Sequence, residues 1–112
     1  MGFQWRRRRG RRVGRPPGPV FIAEHPKVAQ LVPNPQRSTE PLVLDPAEYE
    51  VLRLVDLEKL DQEAAGQRMG VSRGTVWRLL QSAREKVVRS LVEGRILVVQ
   101  GLSSTGTDNP ED

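Results

Sequence analysis

The chain has 112 residues, of which 37% are hydrophobic, and a formal net charge of +4 at pH 7. This length allows one domain with a modest core, and the apolar share predicts that part of the chain is not folded. The absence of cysteine excludes disulfides and thiolate metal sites. The absence of a long apolar run or a signal-peptide pattern predicts a cytoplasmic protein without membrane contact.

The positive charge is concentrated at the N-terminus. Residues 1–15 carry seven arginines and no acid, whereas the rest of the chain carries 11 basic and 14 acidic side chains and sums to −3. Glycine and proline accompany the arginines, so residues 1–19 are predicted to form a disordered basic arm that binds phosphates. The alternative is a solvated tail that binds any polyanion. The arginines of the arm are Arg6, Arg7, Arg8, Arg9, Arg11, Arg12 and Arg15.

Residues 20–44 are predicted to form an irregular segment. Val20–Ile22 is a short apolar run that could form a strand. Four prolines between residues 24 and 41 argue against a helix there, because proline removes a backbone donor and restricts the residue before it.

The first helix is predicted to begin after Asp45 and to run to about Glu58. Asp45 can cap the helix, Pro46 suits its first position, and Glu48 completes a capping box. The acidic side chains of this helix, Glu48, Glu50 and Glu58, are predicted to form a solvated face.

Residues 60–80 have the pattern of a helix-turn-helix, the motif that places a short helix in the DNA major groove. Counting from Gln62, Gly66 supplies the small residue needed at position five and Gly70 supplies the positive φ needed at position nine. The apolar positions of the motif hold Ala65, Met69, Val71, Val76 and Leu79. The alternative is an ordinary helix hairpin with a glycine turn.

The second helix is predicted over about 62–69, after the cap Asp61. The third is predicted to begin after the cap Ser72, to run to about Glu93 and to be terminated by Gly94. The third helix would be roughly 30 Å long, so only its first turns could enter a groove. Its apolar stripe predicts that the remainder packs against the first helix or a second protomer.

Arg95–Gln100 reads as a short strand that needs a partner in Val20–Ile22, in Leu42–Leu44 or in another subunit. The predicted fold is therefore mainly α: a three-helix helix-turn-helix domain over residues 45–101, with an extended third helix and a C-terminal strand. Residues 102–112 are predicted to be a disordered acidic tail.

The outward face of the early third helix supplies the predicted DNA contacts. Arginine can read guanine and glutamine can read adenine, so the base-contact candidates are Arg73, Gly74, Trp77, Arg78 and Gln81. The phosphate-contact candidates are Arg68, Ser72, Thr75, Arg84 and Lys86. Trp77 has a second interpretation, slightly favoured, in which its ring folds against the second helix.

The sequence does not predict an enzyme. His25 is the only histidine, no residues have the spacing of metal ligands, and no glycine-rich loop follows a strand. No metal and no cofactor are therefore expected.

Three segments resemble a known family. DPAEYEVLRLVDLEKL, QEAAGQRMGVSRGTVWRLLQSAREKV and LVEGRILVVQG are similar to uncharacterised protein family two-five-one, small prokaryotic predicted DNA-binding proteins. That family's helix-turn-helix is similar to region four of sigma-70-type sigma factors, so the resemblance implies a DNA-binding regulator. Two departures are visible: Gly10 and Gly14 stand where members often carry cysteines, and the second helix opens with Asp61 rather than threonine.

Together these observations predict a sequence-specific, double-stranded DNA-binding transcriptional regulator that acts as a homodimer and is nucleoid-associated. One alternative is an RNA- or ribosome-associated protein led by the basic arm. Another is a sigma-like module that docks on RNA polymerase.

Overall fold

The computed structural model describes residues 3–6 and 19–101. In these residues the chain is mainly α, with two small sheets against the helices. The strands are β1 (Phe3–Arg6), β2 (Pro19–Ile22), β3 (Gln30–Leu31), β4 (Leu42–Leu44) and β5 (Leu97–Val99). The helices are α1 (Pro46–Val51), a π-helical segment (Leu52–Leu57), α2 (Gln62–Met69) and α3 (Arg73–Glu93).

The first helix begins as predicted. The Asp45 side chain accepts a hydrogen bond from the Glu48 amide at 2.8 Å, and the Glu48 side chain accepts one from the Asp45 amide at 3.0 Å. The second half of the helix differs, because the backbone widens into a π-helical segment in which Glu58 N donates to Arg53 O. The segment ends at Leu57 with Glu58 as its C-cap, and Lys59 follows with φ of +66°.

The predicted bounds of α2 and α3 are confirmed. Asp61 caps α2 by accepting a hydrogen bond from the Ala64 amide, and Ser72 caps α3 by accepting one from the Thr75 amide. Gly70 and Gly94 end the two helices with φ of +71° and +64°, the left-handed conformation that glycine adopts without strain.

The core lies where the three helices meet. Its α2 and α3 side chains include Ala65, Met69, Val76 and Leu79, as predicted, while Val71 is half-buried. A Cβ at Gly66 would lie 2.7 Å from the carbonyl oxygen of Val71, so only glycine permits this approach of the turn to α2.

A three-stranded sheet closes one side of the core. β5 is its central strand, parallel to β4 with Leu42 opposite Leu97, and antiparallel to β3 with Leu31 opposite Leu97. Of the three partners that the sequence left open for this strand, the structure shows Leu42–Leu44. β3 was not predicted, because it comprises two residues inside the proline-rich segment.

A second, two-stranded sheet joins β1 to β2 in antiparallel register, with Phe3 opposite Ile22 and Arg6 opposite Pro19. Residues 3–6 of the predicted extended or disordered arm therefore form a strand. Val20 and Ile22 are fully buried in the core, which anchors this sheet. Arg7, Arg8, Arg9, Arg11, Arg12 and Arg15, and the predicted tail over 102–112, lie outside the described residues.

The prediction of a solvated acidic face on the first helix is wrong for Glu48 and Glu50, whereas Glu58 is exposed as predicted. Glu48 and Glu50 are only 4% and 1% exposed. Glu48 accepts hydrogen bonds from Lys86 Nζ at 2.7 Å and from the Ser82 hydroxyl. Glu50 accepts from Arg53 Nε and Nη2, each at 3.0 Å, and from the Ala23 amide. Burial is possible because each charge has an opposite charge and further hydrogen bonds.

Candidate nucleic-acid interface

The outward face of the first half of α3 is solvent-exposed. Arg73, Gly74, Trp77, Arg78 and Gln81 are all exposed. The opposite side of the same turns is buried and consists of Val76, Leu79, Leu80 and Ala83. The helix therefore presents every predicted base-contact residue on one accessible face.

Trp77 belongs to this face. The residue is 49% exposed and so partly buried, and both interpretations of Trp77 stay predictions.

The cations of this region fall into two groups. Within the described residues, Arg68, Arg73 and Arg78 form no ion pair with a carboxylate. Arg84 and Lys86, further along α3, each pair with an acid of the first helix. The end of α2 and the N-terminal half of α3 therefore carry cations that no carboxylate neutralises among the described residues.

Arg84 lies against the π-helical segment. Its Nη2 and Nε donate to the two carboxylate oxygens of Asp56 at 2.6 and 3.2 Å. These hydrogen bonds hold the pKa of Asp56 below its ordinary value and raise that of the guanidinium.

The ammonium group of Lys86 is occupied by hydrogen bonds within the protein. Its ammonium donates at 2.7 Å both to Glu48 and to the carbonyl oxygen of Val43. It thereby connects α3, α1 and β4, and the structure does not bring Lys86 or Arg84 together with the other phosphate candidates.

The remaining phosphate candidates lie at the N-terminus of α3 and near the end of α2. Ser72 is exposed, and its hydroxyl accepts from the Thr75 amide at 3.1 Å and donates to the Thr75 hydroxyl at 3.0 Å. Amide groups in the first turn of a helix favour anions. Arg68 is exposed near the end of α2.

An open cleft of about 520 Å³ adjoins this N-terminus. Val55 and Leu60 supply its apolar wall, and Asp61, Gln62, Glu63 and Arg73 supply its polar rim. Within the described residues no three potential ligands cluster around a metal position. No helix among them is apolar over enough turns to cross a bilayer.

Phe21 is a residue of this region that the sequence did not single out. A Cβ at Gly70 would lie 2.8 Å from its ring, so β2 packs directly on the turn between α2 and α3. The apolar run Val20–Ile22 signalled a strand, but nothing local to it indicated that Phe21 meets a turn 49 residues later.

Residues 6–105 match a known protein family, which is described as a protein of unknown function, DUF134. The chain belongs to the DUF134 family. The UPF0251 protein of Archaeoglobus fulgidus is 40% identical over 100 residues, covering 88% of this chain and 93% of that protein. The UPF0251 protein of Thermococcus kodakarensis is 56% identical over 79 residues, covering 70% of this chain and 64% of that protein. No solved structure matches.

Both relatives are named UPF0251 proteins, so the predicted resemblance to uncharacterised protein family two-five-one is confirmed. One of the two departures from the family's sequence pattern lies in the described residues. Asp61, which stands where members usually have threonine, caps α2 by accepting a hydrogen bond from the Ala64 amide at 2.7 Å. The other, Gly10 and Gly14, lies outside the described residues.

Proposed function

We propose that the DUF134 protein is a sequence-specific, double-stranded DNA-binding transcriptional regulator. In this proposal α2, the turn at Gly70 and α3 act as a helix-turn-helix, and the first half of α3 enters the major groove. The observation that carries it is that Arg73 and Arg78 are exposed on one face of α3 without an acidic partner among the described residues.

The chemistry of this face suits base edges. The forked guanidinium groups of Arg73 and Arg78 match the two acceptors of guanine, and Gln81 matches the donor and acceptor of adenine. Trp77 can contact a thymine methyl group or a sugar edge. Gly74 has no side chain, so the backbone of α3 can approach the groove closely at this position.

The phosphate contacts are proposed to come from both sides of the turn. Ser72, Thr75 and the first amides of α3 lie on one side, and Arg68 lies on the other. The arginines of the N-terminal arm would add contacts independent of sequence. Arg84 and Lys86 are assigned a structural role instead, because carboxylates occupy their charged groups.

The protein is proposed to act as a homodimer in the nucleoid, because two recognition helices related by a two-fold axis suit palindromic half-sites one helical turn apart.

The test is selection of bound duplexes from a random pool at about 150 mM salt, where arm-driven binding is partly screened. We expect a palindromic motif. Arg73→Ala and Arg78→Ala should each weaken binding to that motif by about 1–3 kcal/mol and relax the preference at one position per half-site. Lys27→Ala is the control, since Lys27 is an exposed cation between β2 and β3, outside both α3 and its charged edge.

Two results would contradict the proposal. Retained binding to any duplex or to RNA, without enrichment and unaffected by Arg73→Ala, would transfer the function to the arm. Binding to RNA polymerase in the absence of any affinity for duplex DNA would indicate a docking module.

A further inference from the structure

The second half of α3 extends beyond what a groove can hold. The helix has 21 residues and is therefore about 31 Å long, whereas the major groove is about 12 Å wide. With Arg73–Gln81 in the groove, residues after about 84 lie outside the DNA.

This half carries an exposed apolar patch. Val88, Leu91 and Val92 are 53%, 79% and 76% exposed. Their spacing places them on one side of the helix, in line with Trp77 and Gln81. Neighbouring apolar side chains this exposed are typical of a surface that a partner covers.

The flank of the patch identifies the kind of partner. Arg89 donates to Glu85 at 3.0 Å and to Glu93 at 2.7 Å, so negative, positive and negative groups alternate along one edge. A strongly acidic or basic partner gains little from such an edge. A second copy of this chain offers the same apolar patch and both signs of charge, as an isologous contact requires.

We propose that two copies of this chain pair through the second half of α3. The apolar patch Val88, Leu91 and Val92 forms the centre of the contact, and the charged edge Glu85, Arg89 and Glu93 forms its rim. Its use in presenting two recognition helices rests on the proposed function, but the contact itself requires no DNA.

Sedimentation equilibrium of the full chain without DNA tests the apolar centre. The native chain is expected to be a dimer at micromolar concentration, and Leu91→Glu a monomer with unchanged helical circular dichroism. Leu57→Glu is the matched control, because Leu57 is 73% exposed on a different element; it should dimerise like the native chain. A monomeric native chain, a dimeric Leu91→Glu variant or a monomeric Leu57→Glu variant would overturn the proposal.

Charge exchange tests the rim and the identity of the partner. Arg89→Glu makes the edge entirely negative, and the double substitution Glu85→Lys with Glu93→Lys makes it entirely positive. Each variant alone should dissociate at least tenfold more readily than the native chain, a change of about 1.4 kcal/mol. A mixture of the two should form heterodimers; failure of the mixture to associate while both variants remain folded would argue against a second copy as the partner.

The outcomes separate the two proposals. If Arg73→Ala leaves DNA binding unchanged while Leu91→Glu abolishes the dimer, the proposed function fails and the pairing surface stands. If Arg73→Ala abolishes sequence preference while the native chain is a monomer, the pairing surface fails and the proposed function stands.

Discussion

Gly70 and Gly74 lie four residues apart, but only Gly70 has a backbone conformation that favours glycine. Gly70 has φ of +71°, and a Cβ there would lie 2.8 Å from the Phe21 ring. Gly74 lies within α3, where a Cβ would meet nothing closer than 3.9 Å. The same substitution should therefore change stability in opposite directions at the two positions.

We expect Gly70→Ala to lower the free energy of unfolding by about 1–3 kcal/mol, because alanine must adopt a left-handed backbone and displace Phe21. Gly74→Ala should raise it by up to about 1 kcal/mol, since alanine favours the helix over glycine. Urea denaturation followed by circular dichroism measures both. Equal effects of the two substitutions would contradict this account of the turn.

At the residue scale, the sequence predicts what depends on near neighbours. Asp45, Asp61 and Ser72 each cap the helix that follows by accepting a hydrogen bond from the amide three residues ahead. Gly70 and Gly94 end helices by their own backbone conformation. Burial of Glu48 depends instead on Ser82 and Lys86, 34 and 38 residues away, and Glu50 combines its near neighbour Arg53 with the Ala23 amide, 27 residues away. Helical periodicity does not reveal such partners.

At the scale of elements, one ion pair joins the π-helical segment to α3. Asp56 and Arg84 are 40% and 46% exposed at their side chains, so solvent screens the pair and its contribution lies in the range of about 0–1 kcal/mol. Hydrogen bonding to Arg84 is the main cause of the lowered pKa of Asp56. Since the folded-state pKa is lower than the unfolded-state value, this stabilisation is present above the unfolded-state pKa and is lost as the pH falls through the folded-state pKa.

The substitution Arg84→Gln should therefore raise the pKa of Asp56 towards its ordinary value near 3.8 and remove the pair's pH-dependent stabilisation. A carboxyl-carbon NMR titration of Asp56 checks this directly. Arg89→Gln serves as the control, because Arg89 pairs with acids of its own helix. An unchanged Asp56 titration in Arg84→Gln would show that the guanidinium is not the cause.

Elements differ in how far the sequence predicts them. The bounds of α2 and α3 follow from caps and apolar spacing, and the partner of β5 was among the predicted possibilities. The pairing of β1 with β2 was missed because residues 7–18 separate them. The face of Arg73, Trp77, Arg78 and Gln81 was predictable because it is the complement of the apolar stripe of α3.

At the scale of the whole molecule, one core is shared by helices and sheet. Leu97 on β5 is 2% exposed and belongs to the same buried cluster as Leu54, Met69 and Leu80. Removing its side chain should therefore weaken the helices as well as the sheet.

We expect Leu97→Ala to lower the free energy of unfolding by about 2–5 kcal/mol, through lost burial and the cavity left behind. Leu57→Ala, at a 73% exposed position, should change it by less than about 0.5 kcal/mol. Thermal melting followed by helical circular dichroism distinguishes them. A native-like melting temperature for Leu97→Ala would mean that β5 is not integral to the helical core.

The parallel pairing of β4 with β5 has a consequence for biosynthesis. All of the helices lie between these two adjacent strands, and β5 is the last element of the described chain to leave the ribosome. The three helices can begin to form earlier, but the core side chain Leu97 and the central strand of the sheet arrive only afterwards. Closing a connection of this length is entropically costly and slow compared with local contacts. A nascent chain whose α3 has left the ribosome would thus expose core side chains of the helices before the strand that completes the core has emerged.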